Sequence, residues 1–586
     1  MFQQDLQPVG DSLALTALCA AVPLVTLFVL LGGLRLKAWV AGLISLVVAL
    51  VVAVVLFGMP LGQALLAGTD GAAFGFFPIL WIVINAIWVY NLTVASGHFD
   101  VLRRSFEKVS PDQRIQAIII AFCFGALLEA LAGFGTPVAI TVVMLMALGF
   151  RPVKAAAVAL IANTAPVAFG ALATPIVTLA SVTSAVNSDP RLTVDGIGGM
   201  VGRQTPLLAV IVPLILVFVV DGRRGVKATW LPALVCGVAF GLAQFVAANY
   251  VSVPLADIVA ALVSAASVVL LLRVWTPAEV LTAEQAGAEE DELESGRAQG
   301  RAARRSPHGI STSVTGSTGR GAGSGAVASA STSPEVPRDS GADIAKAYAP
   351  YLVIIVIFSI VNIPAVVDFL AKEPFTYSFN WPGLDITNPS GDPVATVFKF
   401  NWLPAAGTLM IFAGIITAAI LKVSPAQAAR TYVRTYVELK SAIVTVMAVL
   451  ALAYVMNLSG QTTSLGAWLA GAGGAFAILS PILGWIGVAV TGSDTSANAL
   501  FGALQVQTAK DAGLDPLLMA AANSSGGVLG KMVSPQNLAI AAAAVGMAGK
   551  EGDIFRKVIG WSLALLVLMC VIVGLQSTPV LGWMVP

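Results

Sequence analysis

Three ionisable residues lie inside long apolar stretches of this 586-residue chain: Glu129, Asp494 and Lys531. A charge within a nonpolar span is unfavourable by roughly 2.5 to 3.5 kcal/mol on insertion scales, so such residues are functional candidates. A buried carboxyl group can exchange a proton, and an ammonium group can pair with an anion. We therefore predict Glu129 and Asp494 as proton-coupling residues, and we favour Glu129 because no cation lies near it in the sequence.

Each of these residues also has a purely structural interpretation. Glu129 could be a neutral, hydrogen-bonded carboxyl group. Lys531 could pair with the carboxylate of a substrate or, equally, form an internal ion pair with Asp494. Asp257 lies near the end of another apolar run, where we expect water to solvate it.

A spacing pattern around these residues occurs twice in the chain. The two copies are Gly133-Phe134-Gly135-Thr136-Pro137, Asn163, Gly170 and Thr174-Pro175, and then Gly492-Ser493-Asp494-Thr495-Ser496, Asn523, Gly530 and Ser534-Pro535. In both copies a Thr follows the first Gly by three positions, the later Gly follows the Asn by seven, and a hydroxyl–Pro pair begins eleven after the Asn. This agreement predicts an internal repeat of about 40 residues.

Gly and Pro inside these apolar runs predict broken helices. A break frees backbone N–H and C=O groups, which in a membrane must find partners in protein or in a wet cavity. The N-terminus of a half-helix also attracts anions. Broken helices in equivalent positions of two inverted repeats are typical of the substrate site of a secondary transporter. The alternative is that the small residues only allow straight helices to pack closely.

The elements that must position these residues are membrane helices. Hydrophobic residues make up 57% of the chain and charged residues 11%, whereas soluble domains carry about 25% charged residues. We predict an all-α polytopic membrane protein with about 12 transmembrane helices plus two re-entrant hairpins, arranged as an inverted repeat with broken helices. The predicted hairpin and broken helix of each half occupy 114-182 and 467-546.

A polar segment divides the membrane region into two halves. Residues 277-342 contain an acidic run followed by Arg, Ser, Gly, Thr and Ala, with almost no large apolar side chains. Such a composition cannot bury enough apolar surface to offset chain entropy. The predicted division is therefore a membrane half at 1-276, a disordered cytoplasmic linker at 277-342 and a second membrane half at 343-586.

Lys and Arg set the predicted orientation. They cluster at Lys37, between Arg103 and Arg114, between Arg223 and Lys227, and between Lys422 and Lys440. By the positive-inside rule these loops are cytoplasmic, which leaves both termini and the segments 183–203 and 371–400 outside. The first hairpin then enters from the cytoplasm and the second from outside, so the repeat is predicted to be inverted.

Composition and motifs exclude several other classes of protein. A net charge of +1 gives no basic field for nucleic acid. Four scattered cysteines and two histidines offer no metal site, and no cofactor is expected. The chain contains no HExxH, GxSxG or Walker motif, so we do not expect an enzyme.

Three stretches resemble the signatures of a known family. Leu131-Ala132-Gly133-Phe134-Gly135-Thr136-Pro137, the run from Thr491 to Phe501, and Ser534-Pro535-Gln536-Asn537-Leu538-Ala539 are similar to those of the bacterial L-lactate permease family. The resemblance implies import of L-lactate, and of relatives such as glycolate or D-lactate, by proton symport across the inner (plasma) membrane. It also suggests an elevator movement of a transport domain against a scaffold, although the sequence does not separate an elevator from rocking.

A 2-hydroxy monocarboxylate needs hydrogen-bond donors for its carboxylate and both a donor and an acceptor for its hydroxyl. Lys531 is the only intramembrane cation near the repeated motifs. The alternative substrate is a dicarboxylate transported with sodium, whose two carboxylates would call for more cations than Lys531 alone. The predicted substrate-binding residues are Gly133, Gly135, Thr136, Asn163, Ser493, Thr495, Asn498, Asn523, Ser524, Lys531, Gln536 and Asn537.

Overall fold

The computed structural model describes residues 2–34, 36–133, 135–282, 285, 339–389, 391, 393–394, 396–547 and 550–586. Within these ranges eleven helices are long and apolar enough to cross a membrane. The predicted class, an all-α polytopic membrane protein, is confirmed. Most of the predicted linker at 277-342 lies outside the described residues.

Helices account for almost all of the regular structure. The first half contains α1 Leu13–Phe28, α2 Ala38–Val55, α3 Leu61–Phe74, α4 Trp81–Ala95, α5 His98–Glu107, α6 Gln113–Gln116, α7 Gly125–Ala132, α8 Thr136–Ala147, α9 Pro152–Ala162, α10 Gly170–Ser184, α11 Val194–Val246 and α12 Ala256–Leu271. The second half contains α13 Gly341–Val361, α14 Pro364–Leu370, α15 Ala406–Ile420, α16 Pro425–Leu458, α17 Gln461–Leu469, α18 Phe476–Thr491, α19 Asp494–Ala512, α20 Pro516–Gly530, α21 Pro535–Ala544 and α22 Glu551–Gln576.

Four short strands form two small pairs. β1 (Phe2–Gln3) runs parallel to β3 (Ile386–Thr387), and β2 (Tyr377–Asn380) is antiparallel to β4 (Val397–Phe400). The first pair joins the N-terminal segment to the loop between α14 and α15. The Gln4 side chain continues this contact by donating to the Asn457 carbonyl at the end of α16, over 2.9 Å.

Two helical hairpins have their turns at the glycines of the repeated pattern. The first joins the helix Gln113–Ala132 to α8 through Gly133 and Gly135, whose φ angles are 38° and 85°. The second joins α18 to α19 through Gly492, with φ 76°. These positive angles favour glycine, because a side chain there would be strained. Ser493 then caps α19 by accepting a hydrogen bond from the Ser496 N–H.

Each hairpin is followed by a helix that breaks. The first break separates α9 from α10, and the second separates α20 from α21. The helix before each break begins with a proline, Pro152 in α9 and Pro516 in α20. The fixed φ of proline favours the first helical position. In the second break Ser534 caps α21 and Pro535 occupies its first turn.

In each repeat copy, the second arm of the hairpin packs against the helix that follows the break in the other copy. The second arm of the first hairpin, α8, packs against α21, and the second arm of the second hairpin, α19, packs against α10. Glycines also bring α18 and α20 close: a Cβ at Gly526 or Gly530 would lie 2.2 or 2.3 Å from a backbone oxygen of α18. The helices are therefore broken, as predicted, and the alternative of straight helices was wrong, although the small residues also allow close packing.

The buried apolar residues form two clusters. The larger surrounds the first hairpin, α9, α11, α12, α20 and α22. The smaller unites α1, α2, α3 and α16, and it includes Val182 of α10 and Phe501 of α19. Helix α16 packs against α2 and α3 and also against α19, so it joins the α1–α3 helices to the second hairpin.

The described ends of the linker are attached to the first half. Leu281 is buried, accepts a hydrogen bond from the Gln113 N–H over 3.0 Å and donates to the Asp112 carboxylate over 3.2 Å. At the other end Asp339 pairs with Arg104 over 2.6 Å. That guanidinium holds the pKa of Asp339 below its usual range. Both anchors lie beside the start of the first hairpin.

Candidate functional site

A cavity of about 1240 Å³ lies between the helix breaks and α16. Both hairpin turns reach it, through Gly133 and Ser493, and so do both broken helices, through Gly170 and Lys531. Its other wall is α16, from Glu438 to Val446. The cavity widens toward Lys37, Glu438 and Gly552, all of which are exposed.

A buried ion pair crosses the inner end of this cavity. Lys531 Nζ lies 2.6 Å from Glu129 Oε1, and the two side chains are 8% and 3% exposed. Asn163 Nδ2 donates to the other carboxylate oxygen, Glu129 Oε2, over 3.0 Å. No cation lies near Glu129 in the sequence, yet Lys531, 402 positions away, pairs with it in the fold. The suggested ion pair of Lys531 with Asp494 was wrong, because this ammonium group pairs with Glu129.

Backbone geometry holds this pair in place. A Cβ added at Gly170 would lie 2.8 Å from Glu129 Oε1, so a larger residue there would displace the carboxylate from this position. The next three residues, Ala171 to Ala173, have left-handed φ angles of 45°, 56° and 59°. For such residues the left-handed region costs roughly 1–2 kcal/mol each. Strain of this kind is concentrated at functional sites.

The hydroxyl–Pro pairs perform the same task in both breaks. Pro175 cannot donate to the carbonyl of Ala171, and Thr174 Oγ1 donates to it instead, over 2.5 Å. In the second copy Pro535 cannot donate to the carbonyl of Lys531, which accepts from the Ser534 N–H over 3.3 Å. Ser534 Oγ donates to this carbonyl over 3.0 Å, and Asn537 Nδ2 over 3.1 Å. The repeated spacing thus places a hydroxyl donor at each carbonyl to which the proline cannot donate.

Asp494 is the second carboxyl group of the cavity. Ser524 Oγ donates to its Oδ2 over 2.6 Å, and Asn498 Nδ2 donates to the same oxygen over 3.3 Å. Asn498 Nδ2 also lies 3.1 Å from the Pro175 carbonyl, which connects the second hairpin to the first broken helix. Asp494 Oδ1 has no hydrogen-bond partner among the described residues. The carboxyl group is therefore held on one side only.

The structure divides the predicted site residues into two layers. The cavity is lined by Glu129, Gly133, Thr136, Ser493, Asp494, Thr495, Lys531 and Gln536. The others lie behind this wall, namely Gly135, Asn163, Asn498, Asn523, Ser524 and Asn537. Several of them hydrogen-bond one another or the lining residues; Asn523 donates to Asn498 over 2.8 Å. Thr136 and Thr495, equivalent in the repeat, line the same cavity.

Sequence reasoning missed some lining residues and misplaced one carboxyl group. Tyr90 and Asn91 of α4 line the cavity, and neither was among the predicted site residues. The two amides of this apolar helix, Asn85 and Asn91, were the signal that the sequence offered. Asp257 is fully buried and accepts from Gln244 Nε2 over 2.8 Å, so the expectation that water solvates it was wrong.

The fold and the site together define a class of protein. Membrane helices form two similar units, each with a hairpin and a broken helix, and the breaks converge on one polar cavity that contains a buried ion pair. Irregular backbone at membrane depth is tolerated where it lines such a cavity. This combination is the architecture of a secondary transporter.

Comparison with known proteins places the chain within this class. Residues 16–580 match the model of the L-lactate permease family. The L-lactate permease of Bacillus subtilis (strain 168) is 40% identical, with 100% of this chain and 99% of the relative covered. The glycolate permease GlcA of Escherichia coli (strain K12) is 41% identical, with 99% of each chain covered, and the L-lactate permease of the same strain is 38% identical over the whole of both. The chain belongs to the L-lactate permease family and is a membrane transport protein.

Proposed function

We propose that this protein imports L-lactate, and related 2-hydroxy monocarboxylates such as glycolate and D-lactate, together with protons across the bacterial plasma (inner) membrane. The relatives named above are L-lactate and glycolate permeases. The observation that carries the proposal is the Lys531–Glu129 pair, because it offers one cation for one carboxylate and one carboxyl group for one proton.

The proposed coupling is an exchange of partners at Lys531. While Glu129 is ionised, it occupies the ammonium group and competes with the substrate. Protonation of Glu129 removes this negative charge, and the substrate carboxylate then takes its place beside Lys531. Thr136 and Thr495 line the same cavity and can donate to the substrate oxygens. Proton and anion then move together with no net change in the charge of the site.

The sidedness of the cavity supports an inward-open arrangement. Its exposed rim contains Lys37, which the positive-inside rule assigns to the cytoplasm. With both termini outside, the two hairpins are re-entrant from opposite sides. Release to the cytoplasm occurs in this arrangement, and a rigid-body movement of the two broken-helix units past α16 would open the site to the outside.

Purified protein in liposomes tests the proposal. We expect labelled L-lactate to accumulate when the outside is acidic. A sodium gradient should not drive its uptake, and unlabelled glycolate should compete with it. Protein-free liposomes control for diffusion of the neutral acid. Uptake of a dicarboxylate with sodium, and none of lactate, would refute the proposed substrate and coupling ion.

A further inference from the structure

A second cavity, the outer cavity, lies at the other end of the interface that contains the proposed site. It has a volume of about 330 Å³ and is lined by Asp70 of α3, Ser181 and Ser184 of α10, Tyr454 of α16 and Lys399 of β4. Small-molecule sites span about 300 to 1,000 Å³. Its position beside the 183–203 and 371–400 segments assigns it to the predicted outer side.

The same two helices line both cavities. Helix α10 contributes Thr174 and Pro175 to the first cavity and Ser181 and Ser184 to the outer one, while α16 contributes Val446 to the first and Tyr454 to the outer. At 1.5 Å per residue, about 12 Å of α16 separates Val446 from Tyr454. Leu450, which is buried in the smaller apolar cluster, lies on the stretch of α16 between the two cavities.

Asp70 is the unexplained group of the outer cavity. Its side chain is 1% exposed, and its Oδ1 has no hydrogen-bond partner among the described residues. Packing fixes its position, because a Cβ at the adjacent Gly71 would lie 2.5 Å from the Leu450 carbonyl oxygen and 2.8 Å from Tyr454 Cβ. A buried polar atom without a partner is costly and indicates a missing ligand, water or proton.

The surroundings of Asp70 determine what this group can bind. Tyr454 and the exposed Lys399 are the other titratable residues among those described in the cavity wall. Two further elements packed against α3, α2 and the segment Gly75–Leu80, carry no titratable side chain. The segment 381–385 also contacts α3, and its Asp385 meets Gln63, seven positions before Asp70. The wall of the outer cavity thus contains one buried carboxyl group, Asp70, and one exposed cation, Lys399.

We propose that the outer cavity is a second binding site for the transported monocarboxylate, at the outer end of the transport path, in which Lys399 attracts the carboxylate and Asp70 holds a proton. Ser181 Oγ donates its proton to the Val177 carbonyl over 2.9 Å, so it can accept a hydrogen bond from the substrate hydroxyl. This inference rests on the proposed function, since it uses the same substrate and the same proton.

Cysteine labelling in intact cells tests the site directly. Ser184→Cys places a thiol in the exposed part of the outer cavity. We expect a membrane-impermeant maleimide to label it from outside, and saturating L-lactate to slow labelling at least threefold. Ser577→Cys, exposed beyond the end of α22 on the predicted outer side, is the matched control whose labelling lactate should not change. The unsubstituted protein gives the background of the native cysteines.

The role of Asp70 is tested by the pH dependence of this protection. If a proton must bind with the anion, lowering the outside pH by one unit should reduce the lactate concentration for half-protection about tenfold. Adding Asp70→Asn to the Ser184→Cys protein should abolish this dependence, whereas Asp195→Asn, an exposed carboxylate next to the cavity wall, should not.

Each result decides between alternatives. Labelling from the cytoplasm only, or labelling that lactate does not slow in cells that transport lactate, would overturn the outer site. This arm does not depend on whether the Asp70→Asn protein folds. Protection with an unchanged pH dependence in folded Asp70→Asn protein would overturn the role of Asp70. Absence of lactate uptake by the unsubstituted protein would instead reject the proposed function.

Discussion

Replacement of Glu129 by Gln tests the coupling mechanism most directly. The substitution removes the proton-binding group and its charge, but it retains the size of the side chain and an oxygen that can accept from Asn163 Nδ2. If Glu129 carries one proton per cycle, each pH unit of gradient supplies about 1.4 kcal/mol, or about tenfold accumulation of lactate. We expect the Gln variant to equilibrate lactate without accumulating it.

The same substitution should tighten lactate binding at neutral pH. In the unsubstituted protein Glu129 Oε1 occupies Lys531 Nζ at 2.6 Å, so the substrate must displace it. A hydrogen bond to a charged group contributes about 1.5–3 kcal/mol, which predicts an affinity gain of roughly 10- to 150-fold when this competitor is removed. Lys531 also loses its buried partner, so we expect a lower Tm without substrate and a larger stabilisation by lactate.

The assay is steady-state uptake and lactate exchange in liposomes, with Glu438→Gln at the exposed rim of the cavity as a matched control. Exchange at equal pH should persist in the Glu129→Gln protein. Accumulation that still rises tenfold per pH unit would show that Glu129 is not the coupling group, and Asp494→Asn would then be the variant to examine. Loss of exchange as well, in folded protein, would mean that Glu129 serves binding and not coupling.

Further predictions concern binding and the linker. Lys531→Met should weaken lactate binding by roughly 10- to 150-fold, as measured by calorimetry, because it removes the cation that pairs with the carboxylate. Thr136→Val and Thr495→Val should each weaken binding by roughly 2- to 10-fold through loss of one hydrogen bond, with unchanged helical content. Deletion of 286–338 with a short flexible tether should preserve uptake, whereas Leu281→Ala should lower the Tm because it leaves a cavity under the anchored end.

Prediction from sequence succeeded for the helix breaks, because their cause is local. Positive φ angles at Gly133 and Gly492 occur at the positions where the spacing pattern predicted turns. The hydroxyl groups of Thr174 and Ser534 donate to the carbonyls to which the prolines cannot donate, which follows from the chain itself. It failed for Asp257, because burial of a residue at the end of a helix depends on which other helices cover it.

The sequence by itself determined the class of protein and the positions of the helix breaks, since apolar length, missing N–H donors and glycine φ angles act within a few residues. It also identified Glu129, Asp494 and Lys531 as intramembrane ionisable groups, but not Asp70. Only the tertiary structure decided which charges meet. Glu129 and Lys531 come from different halves of the chain, and Asp70 faces an outer cavity, because the rotation of each packed helix determines where its side chains lie. The spacing of residues within one helix does not show which distant helix packs against it.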